Sequence, residues 1–334
     1  MSLNPPPSEV SPASEGAAHS PRAPDPRLRV LAAMSLWMFG PLLQKLISLR
    51  SQYLLLVATL LLGLVTFLVI QVALEGPAFL RRLRAIRPSY PLFGLLGYFL
   101  YMVGMNRCFR LFGSAAGSTM LNYTWPVFTV LFAELIFRRS RKAWGVRLVE
   151  GAGLALGFLA VWLLATGGDP LSFRVSNVEG LFWGLLAGAS YGLFSAYSGT
   201  VPAQDHGVFL VSAIGGSLLL MSPLGLAEWK LLPTLGWPDL LAAAGQGVLM
   251  NGLGYFFWTS ANRLAREQGL EAAAVTSPIF FLPLLAVIII SLALGERDAL
   301  RPYLAVTLLL LILSAALCQR ARDIANRLAR IANR

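Results

Sequence analysis

Charged side chains are scarce in this 334-residue chain, and their scarcity excludes a soluble domain. Asp, Glu, Lys and Arg make up 13% of the residues, against about 25% in a typical soluble domain, whereas hydrophobic residues make up 56%. The mean hydropathy is +0.66, and the apolar residues fall in blocks of about 20 residues, the length that a helix needs to cross a bilayer. The composition therefore predicts an integral membrane protein, because a soluble domain could not cover so much apolar surface.

Acids, histidines and cysteines are missing where membrane enzymes and ion-driven pumps need them. All sixteen Asp and Glu residues fall in tails, loops or near the ends of apolar segments. The deepest, Glu134, precedes Arg138 by one helical turn and is expected to pair with it rather than to relay protons. The two histidines and the two cysteines, Cys108 and Cys318, form no cluster with metal-ligand spacing. The chain also lacks a phosphate-binding glycine loop with Lys and a nucleophile–histidine set, so we expect no enzyme, ATP-driven pump, cofactor or metal.

Ten apolar segments predict an all-α integral membrane protein with ten transmembrane helices. The predicted spans, called segments 1 to 10 in chain order, are Val30–Ile47, Tyr53–Leu74, Tyr90–Cys108, Ala115–Phe137, Ala143–Ala165, Glu179–Tyr197, Val208–Glu228, Asp239–Thr259, Glu271–Leu294 and Pro302–Cys318. Residues 1–29 are rich in Pro, Ser and Ala and predict a disordered tail. Residues 319–334 predict an amphipathic helix on the membrane surface, with partner binding as the alternative.

A tetrapeptide that recurs half a chain apart indicates an internal repeat. Leu96-Gly97-Tyr98-Phe99 returns as Leu253-Gly254-Tyr255-Phe256, 157 positions later. Further identities at the same offset match Ala115-Ala116 with Ala272-Ala273, Thr119 with Thr276, and Pro126 with Pro283. Residues 30–166 and 177–318 are then two five-helix repeats. Because five is odd, the second repeat is inverted in the membrane, an arrangement typical of transporters whose halves rock about a central site.

The distribution of Lys and Arg predicts the orientation. With a cytoplasmic N-terminus, nineteen of the 27 basic residues fall on the cytoplasmic side and eight on the outer side. This bias follows the positive-inside rule and places both termini in the cytoplasm. Topology and anionic lipid then explain the net charge of +11, so no nucleic-acid partner is expected.

Uncharged polar and aromatic side chains deep in the spans are the candidate substrate site. Aromatic rings offer stacking area, and amides and hydroxyls bind the polar end of a neutral or zwitterionic organic solute. The predicted substrate-binding residues are Trp37, Tyr98, Tyr101, Asn122, Trp125, Tyr191, Gln246, Asn251, Tyr255, Trp258 and Ser277. The competing interpretation assigns the rings to helix packing or to the membrane interface, and the amides to helix–helix hydrogen bonds.

Prolines and glycines within the spans predict bends and close contacts. Pro126, Pro278 and Pro283 each free a backbone carbonyl, which is tolerated where it lines a cavity or meets a neighbour. Gly180, Gly184, Gly188 and Gly192 recur every fourth residue in segment 6. Such a row predicts close approach of another helix, as static packing or as a sliding interface.

The pattern resembles the drug/metabolite transporter superfamily and its EamA-type ten-helix permeases. The resemblance rests on Asn122-Tyr123-Thr124-Trp125-Pro126 and on Thr276-Ser277-Pro278, with Leu294-Gly295-Glu296 similar to the family's span terminus. The first repeat ends in Phe137-Arg138-Arg139 and departs from that terminus. Within the superfamily the chain most resembles YddG-type exporters of aromatic and other amino acids. This resemblance implies a bacterial inner-membrane protein with a central cavity lined by spans 1–4 and 6–9, and with spans 5 and 10 at the periphery.

The resemblance and the missing relay favour an alternating-access transporter that exports amino acids or similar small solutes by facilitated diffusion or exchange. The expected partners are a small-molecule substrate and the lipid bilayer, and the protein is expected to be a monomer or a weak homo-oligomer. The main alternative is a drug or nucleotide-sugar-type carrier, which needs a cationic clamp. Lys45 and Arg107 are its candidates, although Lys45 also suits snorkelling to the surface. A lipid-handling protein or membrane enzyme is less favoured.

Overall fold

A computed structural model of the chain describes residues 25–112, 114–136, 143–169, 171, 177–270, 275–295 and 301–332. Within these ranges the chain consists of helices and their connections, without a strand. Most of the predicted disordered tail, Arg138 and the repeat pair Ala272-Ala273 lie outside the described residues. The first helix begins at Pro26, earlier than predicted, because the Asp25 side chain accepts a hydrogen bond from the Arg27 backbone N–H and caps the helix.

Helices occupy most of the described part of every predicted span. Segments 1 to 10 comprise, in order, Pro26–Trp37 with Gly40–Arg50, Leu54–Glu75, Ser89–Leu111, Ala115–Asn122 with Trp125–Leu135, Trp144–Ala165, Val178–Ser198, His206–Ala227, Trp237–Glu267, Leu282–Leu294 and Pro302–Gln319. Shorter elements are the helix Pro77–Arg84, the 3₁₀ turns Ala203–Asp205, Trp229–Thr234 and Ser277–Phe281, and the terminal helix Ala321–Ala332.

Seven of the described helical stretches are long and apolar enough to cross a membrane. They are segments 1, 2, 3, 5, 7, 8 and 10, with the two helices of segment 1 counted together. Their outward faces expose large apolar side chains, such as Val69, Phe158 and Leu219. Such a surface indicates a multi-pass membrane protein, because lipid can cover these faces and water cannot do so favourably.

Segments 1, 4 and 9 are interrupted near their middles, where single helices were predicted. The helix restarts just before Pro41 in segment 1, Pro126 in segment 4 and Pro283 in segment 9. Proline has no N–H to donate and clashes with the preceding turn, so a helix that contains it restarts with proline in its first turn. The interruptions leave backbone carbonyls without helical partners, and such backbone is tolerated at membrane depth around a cavity.

Both copies of the repeated tetrapeptide lie at wide π-helical turns. These turns are Leu95–Phe99 in segment 3 and Gly245–Gly254 in segment 8. Neighbouring helices approach closely there. A Cβ on Gly97 would lie 2.5 Å from the Phe194 Cβ, and one on Gly247 would lie 2.6 Å from the Thr59 carbonyl oxygen. Glycine is therefore required at both turns for the helices to pack.

The pattern of helix packing is similar when the first five segments are exchanged with the last five. Segment 3 packs on segment 6 as segment 8 packs on segment 1, and segment 2 packs on segment 8 as segment 7 packs on segment 3. Segment 2 also packs on segment 7, and segment 5 on segment 10. The repeat mates Tyr98 and Tyr255 contact each other, with ring centroids 5.9 Å apart.

Three of the four glycines in the row of segment 6 lie against segment 4, while Gly180 faces Phe112 and Asn177. A Cβ on Gly184 would lie 2.7 Å from Leu121 Cδ1, one on Gly188 would lie 2.2 Å from Thr124 Oγ1, and one on Gly192 would lie 2.5 Å from Phe128 Cβ. The predicted close approach is thus confirmed. These contacts hold the interrupted segment 4 beside the cavities described below.

The terminal helix Ala321–Ala332 is amphipathic as predicted, but part of its apolar face packs on protein rather than on the membrane. Ala321 lies in a small core with Val146 and Val149 at the start of segment 5. Further along the helix, Leu328 and Ile331 remain exposed. Only this distal half is free to rest on a membrane surface.

A carboxylate from the loop after segment 7 caps the start of segment 2. Glu228 accepts hydrogen bonds from the Ser51 hydroxyl and from the backbone N–H groups of the next three residues, with donor–acceptor distances of 2.8–3.2 Å. Burial by itself would raise the pKa of Glu228, but these donors outweigh it and hold the pKa below its usual 4.5. The carboxylate thereby joins the two halves of the chain at this end of the bundle.

Candidate solute-binding site

Two cavities meet in the middle of the bundle. The amide cavity is lined by Trp37, Gly40, Pro41, Gln44, Tyr101, Met105, Asn122, Tyr123, Trp125, Tyr191, Gln246, Met250, Asn251, Tyr255, Ile279 and Leu282. The arginine cavity is lined by Trp37, Trp125, Tyr191, Phe194, Ser195, Ser198, Gly199, His206, Leu210, Tyr255, Trp258, Thr259, Asn262, Arg266 and Ile279. Among the residues described, none from segment 5 or 10 lines either cavity, and none from segment 2 does so, although the resemblance implied that segment 2 would.

Four rings shared by both cavities form an aromatic layer between them: Trp37, Trp125, Tyr191 and Tyr255. They hold one another by edge contacts. Ring centroids lie 5.4 Å apart between Trp37 and Tyr255, and 5.5 Å apart between Trp125 and Tyr191. The Tyr255 hydroxyl donates to the Tyr191 hydroxyl at 3.1 Å. Segments 1, 4, 6 and 8 each contribute one ring, so a movement of any of these helices would change the layer.

The position of Trp37 depends on the π-helical turn of segment 8. Its indole N–H donates to the Met250 carbonyl at 3.2 Å, and that carbonyl belongs to the turn. Gly254 faces the indole so closely that a Cβ there would lie 2.4 Å from Trp37 Nε1. The glycine of the second tetrapeptide thus makes room for a ring of the aromatic layer.

Three buried amides line the amide cavity with polar atoms that have no partner among the described residues. These atoms are the side-chain oxygens of Asn122 and Gln246 and the side-chain nitrogen of Asn251. The three side chains are only 4–8% exposed. A buried polar atom without a partner is unfavourable by about 1–3 kcal/mol, so these positions are suited to a bound solute or water. Helix–helix hydrogen bonding does not account for these three atoms.

Neighbouring helices restrict the amides. A Cβ on Gly63 of segment 2 would lie 2.6 Å from Asn251 Cβ, so segment 2 packs directly behind that residue. At the opposite wall, the Gln44 side-chain N–H donates to the Asn106 side-chain oxygen at a long 3.5 Å. The cavity therefore offers two acceptor oxygens, one donor nitrogen and the faces of several rings, a set that matches both ends of a zwitterion.

The structure brings most of the predicted site residues together. Eight of them line the amide cavity: Trp37, Tyr101, Asn122, Trp125, Tyr191, Gln246, Asn251 and Tyr255. Trp258 lines the arginine cavity and contacts Trp37, with centroids 5.5 Å apart. Tyr98 lines neither cavity. It is fully buried behind Tyr101 and Tyr255, and the Ser277 side chain lies outside the described residues.

The two candidates for a cationic clamp, Lys45 and Arg107, do not line either cavity. The Lys45 ammonium donates to the Phe109 carbonyl at 2.8 Å, at the end of segment 3. The Arg107 guanidinium lies over the Trp183 ring, 5.8 Å from its centroid. Among the described residues that line these two cavities, the permanently charged side chain is that of Arg266.

An ionic cluster lies beside the arginine cavity and was not predicted from sequence. It consists of Glu75 and Arg82 from the end of segment 2 and its following helix, and Arg263 and Glu267 from segment 8. Glu75 pairs with Arg82 and lies 3.9 Å from Arg263, which is 3.8 Å from Glu267. Arg263 and Glu267 are one helical turn apart on segment 8, and the packing of segments 2 and 8 brings Glu75 to Arg263.

Some lining residues were not predicted although their neighbours in the chain were. Gly40 and Pro41 line the amide cavity where segment 1 is interrupted, and Tyr123 lines it beside Asn122. The Gly40-Pro41 pair was a detectable signal, because proline inside an apolar span marks an interruption. Met250 and Leu282 carried no such signal, since an apolar side chain facing a cavity looks the same in sequence as one facing a helix.

Comparisons with known proteins bear on the fold alone. No family model matches the chain, and no curated protein matches it. One solved structure, described only as the crystal structure of a protein, is similar with a TM-score of 0.58 and 21% sequence identity. The similarity covers 91% of this chain and 98% of that one. The helical arrangement is therefore shared over nearly the whole length of both chains.

Proposed function

We propose that this protein is an alternating-access transporter of the drug/metabolite superfamily type that exports small organic solutes, in particular aromatic and other neutral amino acids. The observation that carries the proposal is the amide cavity, in which three buried amides present unpartnered polar atoms among aromatic rings. Two acceptor oxygens and ring faces suit an ammonium group, and the amide N–H suits a carboxylate.

The proposal includes ten membrane spans in two inverted repeats. The exchangeable packing pattern of the two halves, the ring contact between the repeat mates Tyr98 and Tyr255, and the π-helical turns at both tetrapeptides support this arrangement. Segments 4, 6 and 9 complete the ten beside the seven long apolar stretches. Interrupted helices around a central cavity are typical of inverted-repeat transporters.

The aromatic layer supports a gating role. It separates the amide cavity from the arginine cavity, and its four rings come from four different segments. Rocking of one half against the other would part the rings and join the two cavities. With no buried acid predicted at mid-span, the solute gradient or exchange drives transport, without ATP.

Counterflow in proteoliposomes tests this function directly. Vesicles are preloaded with unlabelled phenylalanine, and labelled phenylalanine, tryptophan or threonine is added outside without an ion gradient. We expect transient accumulation of label, which protein-free vesicles do not show. If folded protein accumulates no amino acid under these conditions, the amino-acid assignment is rejected. If accumulation requires a proton gradient, facilitated diffusion is rejected.

Substitution of the amides ties the activity to the cavity. Asn122→Ala and Asn251→Ala should each lower the initial counterflow rate about two- to tenfold at subsaturating substrate, the loss of one hydrogen bond of about 0.5–1.5 kcal/mol. Asn326→Ala is the matched control, because Asn326 is an exposed amide on the terminal helix. Rates that stay at the wild-type value in both cavity variants would move the site elsewhere.

We also propose that the protein lies in a bacterial inner membrane with both termini in the cytoplasm. A cysteine introduced at Lys230 should react with a membrane-impermeant maleimide in intact cells, and one at Asn326 should react only after lysis. Both positions are exposed, and the native Cys108 and Cys318 are buried, so background labelling should be low. The reverse labelling pattern would invert the orientation.

The main alternative remains a drug or nucleotide-sugar-type carrier of the same fold. The observation that favours it is the cation Arg266 in the arginine cavity, which could contact an anionic group. A diphosphate carries several negative charges, and a single guanidinium can neutralise only one of them. Counterflow of a labelled nucleotide sugar, with no counterflow of amino acids, would favour this alternative.

A further inference from the structure

We propose that Arg266 selects the carboxylate end of the solute at the entrance of the arginine cavity. The ligand class is a monocarboxylate with an aromatic or apolar body. This inference rests on the proposed function, and it adds a second recognition point, away from the amide cavity, on the path that the solute follows.

The charge composition of the arginine cavity supports the assignment. Arg266 is the one side chain with a permanent charge among the described residues that line it, and no Asp or Glu is among them. The remaining lining consists of aromatic rings, hydroxyls, an amide, a histidine and aliphatic groups. A guanidinium that opens into a cavity without carboxylates attracts an anion, and its planar fork matches both oxygens of a carboxylate.

Nearby acids are held by other arginines. Glu75 and Glu267 contact Arg82 and Arg263 in the ionic cluster. Arg266 makes no ion pair or side-chain hydrogen bond with any residue that the structure describes, although it also borders the space that the cluster lines. The cluster therefore leaves Arg266 available while it keeps the two carboxylates from competing with a ligand.

One face of segment 8 connects Arg266 to the amide cavity. Trp258, Asn262 and Arg266 follow one another at four-residue intervals, so they lie on one side of the helix and all line the arginine cavity. Arg266 is about 12 Å along the helix axis from Trp258, at 1.5 Å per residue. Tyr255 of the aromatic layer and Asn251 of the amide cavity continue the same face. A solute whose carboxylate contacts Arg266 can thus reach aromatic side chains with its apolar end.

Ligand binding in nanodiscs tests the inference separately from transport. The nanodiscs contain phosphatidylcholine only, so that anionic lipid head groups do not compete for the guanidinium. The probes are 3-phenylpropionate, which has a carboxylate and no ammonium, and phenethylamine, which has the reverse. Binding is followed by tryptophan fluorescence excited at a wavelength that neither probe absorbs, since Trp37, Trp125 and Trp258 line the cavities.

We expect wild-type protein to bind 3-phenylpropionate more tightly than phenethylamine. Arg266→Gln should weaken the binding of 3-phenylpropionate roughly tenfold or more, because it removes a charge-assisted hydrogen bond. The affinity for phenethylamine should stay within about threefold of the wild-type value. Arg266→Lys should recover part of the loss, because it keeps the charge without the planar fork. Arg330→Gln is the matched control. It removes an exposed arginine of the terminal helix that lines neither cavity, and the preference for 3-phenylpropionate should persist.

Three outcomes would overturn the inference. They are equal binding of 3-phenylpropionate by wild type and Arg266→Gln, tighter wild-type binding of phenethylamine than of 3-phenylpropionate, and no binding of either probe. Each is distinct from failure of the proposed function, which counterflow of amino acids decides. Circular dichroism and gel filtration of every variant exclude loss of fold as the cause of weak binding.

Discussion

Replacing Gly254 with Ala should displace one ring of the aromatic layer while leaving the helices in place. The added Cβ would lie 2.4 Å from Trp37 Nε1 and 2.9 Å from its Cδ1. Both atoms belong to a side chain, which can rotate away. The nearest backbone atom, the Leu249 carbonyl oxygen, lies at 3.2 Å and would have to shift by only a few tenths of an ångström. In doing so the indole would give up its 3.2 Å hydrogen bond to the Met250 carbonyl and its edge contact with Tyr255.

The expected magnitude follows from these contacts. The hydrogen bond contributes about 0.5–1.5 kcal/mol and an aromatic pair a similar amount, whereas a methyl group forced into a packed site typically destabilises by about 1–3 kcal/mol. We therefore expect Gly254→Ala to lower the free energy of unfolding by about 2 kcal/mol. We also expect it to slow counterflow roughly tenfold, which corresponds to a free-energy barrier about 1.4 kcal/mol higher for passage of the solute through the misplaced layer.

Two other glycines provide matched controls. Gly97, the repeat mate of Gly254, faces the Cβ, Cα and backbone nitrogen of Phe194 at 2.5, 3.0 and 3.1 Å, so an added methyl group meets backbone that cannot rotate away. Gly97→Ala should therefore destabilise by about 3 kcal/mol or more and lower the yield of folded protein. A Cβ added at Gly151 would meet no atom within 4 Å, and Gly151→Ala should leave both stability and rate unchanged.

The assay combines thermal unfolding in detergent with counterflow in proteoliposomes for the three alanine variants. The ordering of stability should be Gly151→Ala above Gly254→Ala above Gly97→Ala. A wild-type rate and unfolding temperature for Gly254→Ala would refute the placement of Trp37 against segment 8. Damage by Gly151→Ala as large as that by Gly97→Ala would refute the packing argument itself.

Three further predictions concern stability. Glu228→Gln should lower the free energy of unfolding by about 1–2 kcal/mol at pH 7, because the amide replaces one acceptor oxygen of the cap with a donor. Folding lowers the pKa of Glu228, so the extra stability of the wild type over Glu228→Gln should be present above about pH 4.5 and vanish as the pH falls through the folded-state pKa. Unfolding temperatures of both proteins from pH 7 down to pH 3 measure this difference. A difference at pH 3 as large as that at pH 7 would contradict the prediction. Tyr98→Ala should lower the free energy of unfolding by about 3–5 kcal/mol, because Tyr98 is fully buried, and little folded protein should elute on gel filtration. Tyr98→Phe should fold. A monodisperse peak for Tyr98→Ala would contradict the burial of Tyr98. Arg263→Gln should lower the free energy of unfolding by less than about 1 kcal/mol, the contribution of an exposed ion pair, and thermal unfolding measures it. A larger loss of stability would mean that the ionic cluster holds segments 2 and 8 together.

Hydrophobic content and its spacing predicted the membrane class and the positions of the seven long apolar helical stretches. The physical reason is local, because a segment of about 20 apolar residues must satisfy its own backbone as a helix in lipid. The same patterns placed Asn122, Gln246 and Asn251 at depth. Asn251, Tyr255 and Trp258 of segment 8, which the sequence predicted for the site, line the cavities. Whether the chain is a transporter of amino acids stays a prediction.

Tertiary structure decided which side chains of a helical face reach the cavities. Tyr98 and Tyr101 both seemed suited to a site by sequence, yet Tyr101 lines the amide cavity and Tyr98 is covered by its neighbours. Among the basic residues, packing directs Lys45 to a backbone carbonyl and leaves Arg266 facing open space. Periodicity sets the direction in which a residue leaves its helix, but the neighbouring helices determine whether protein, lipid or a cavity lies there.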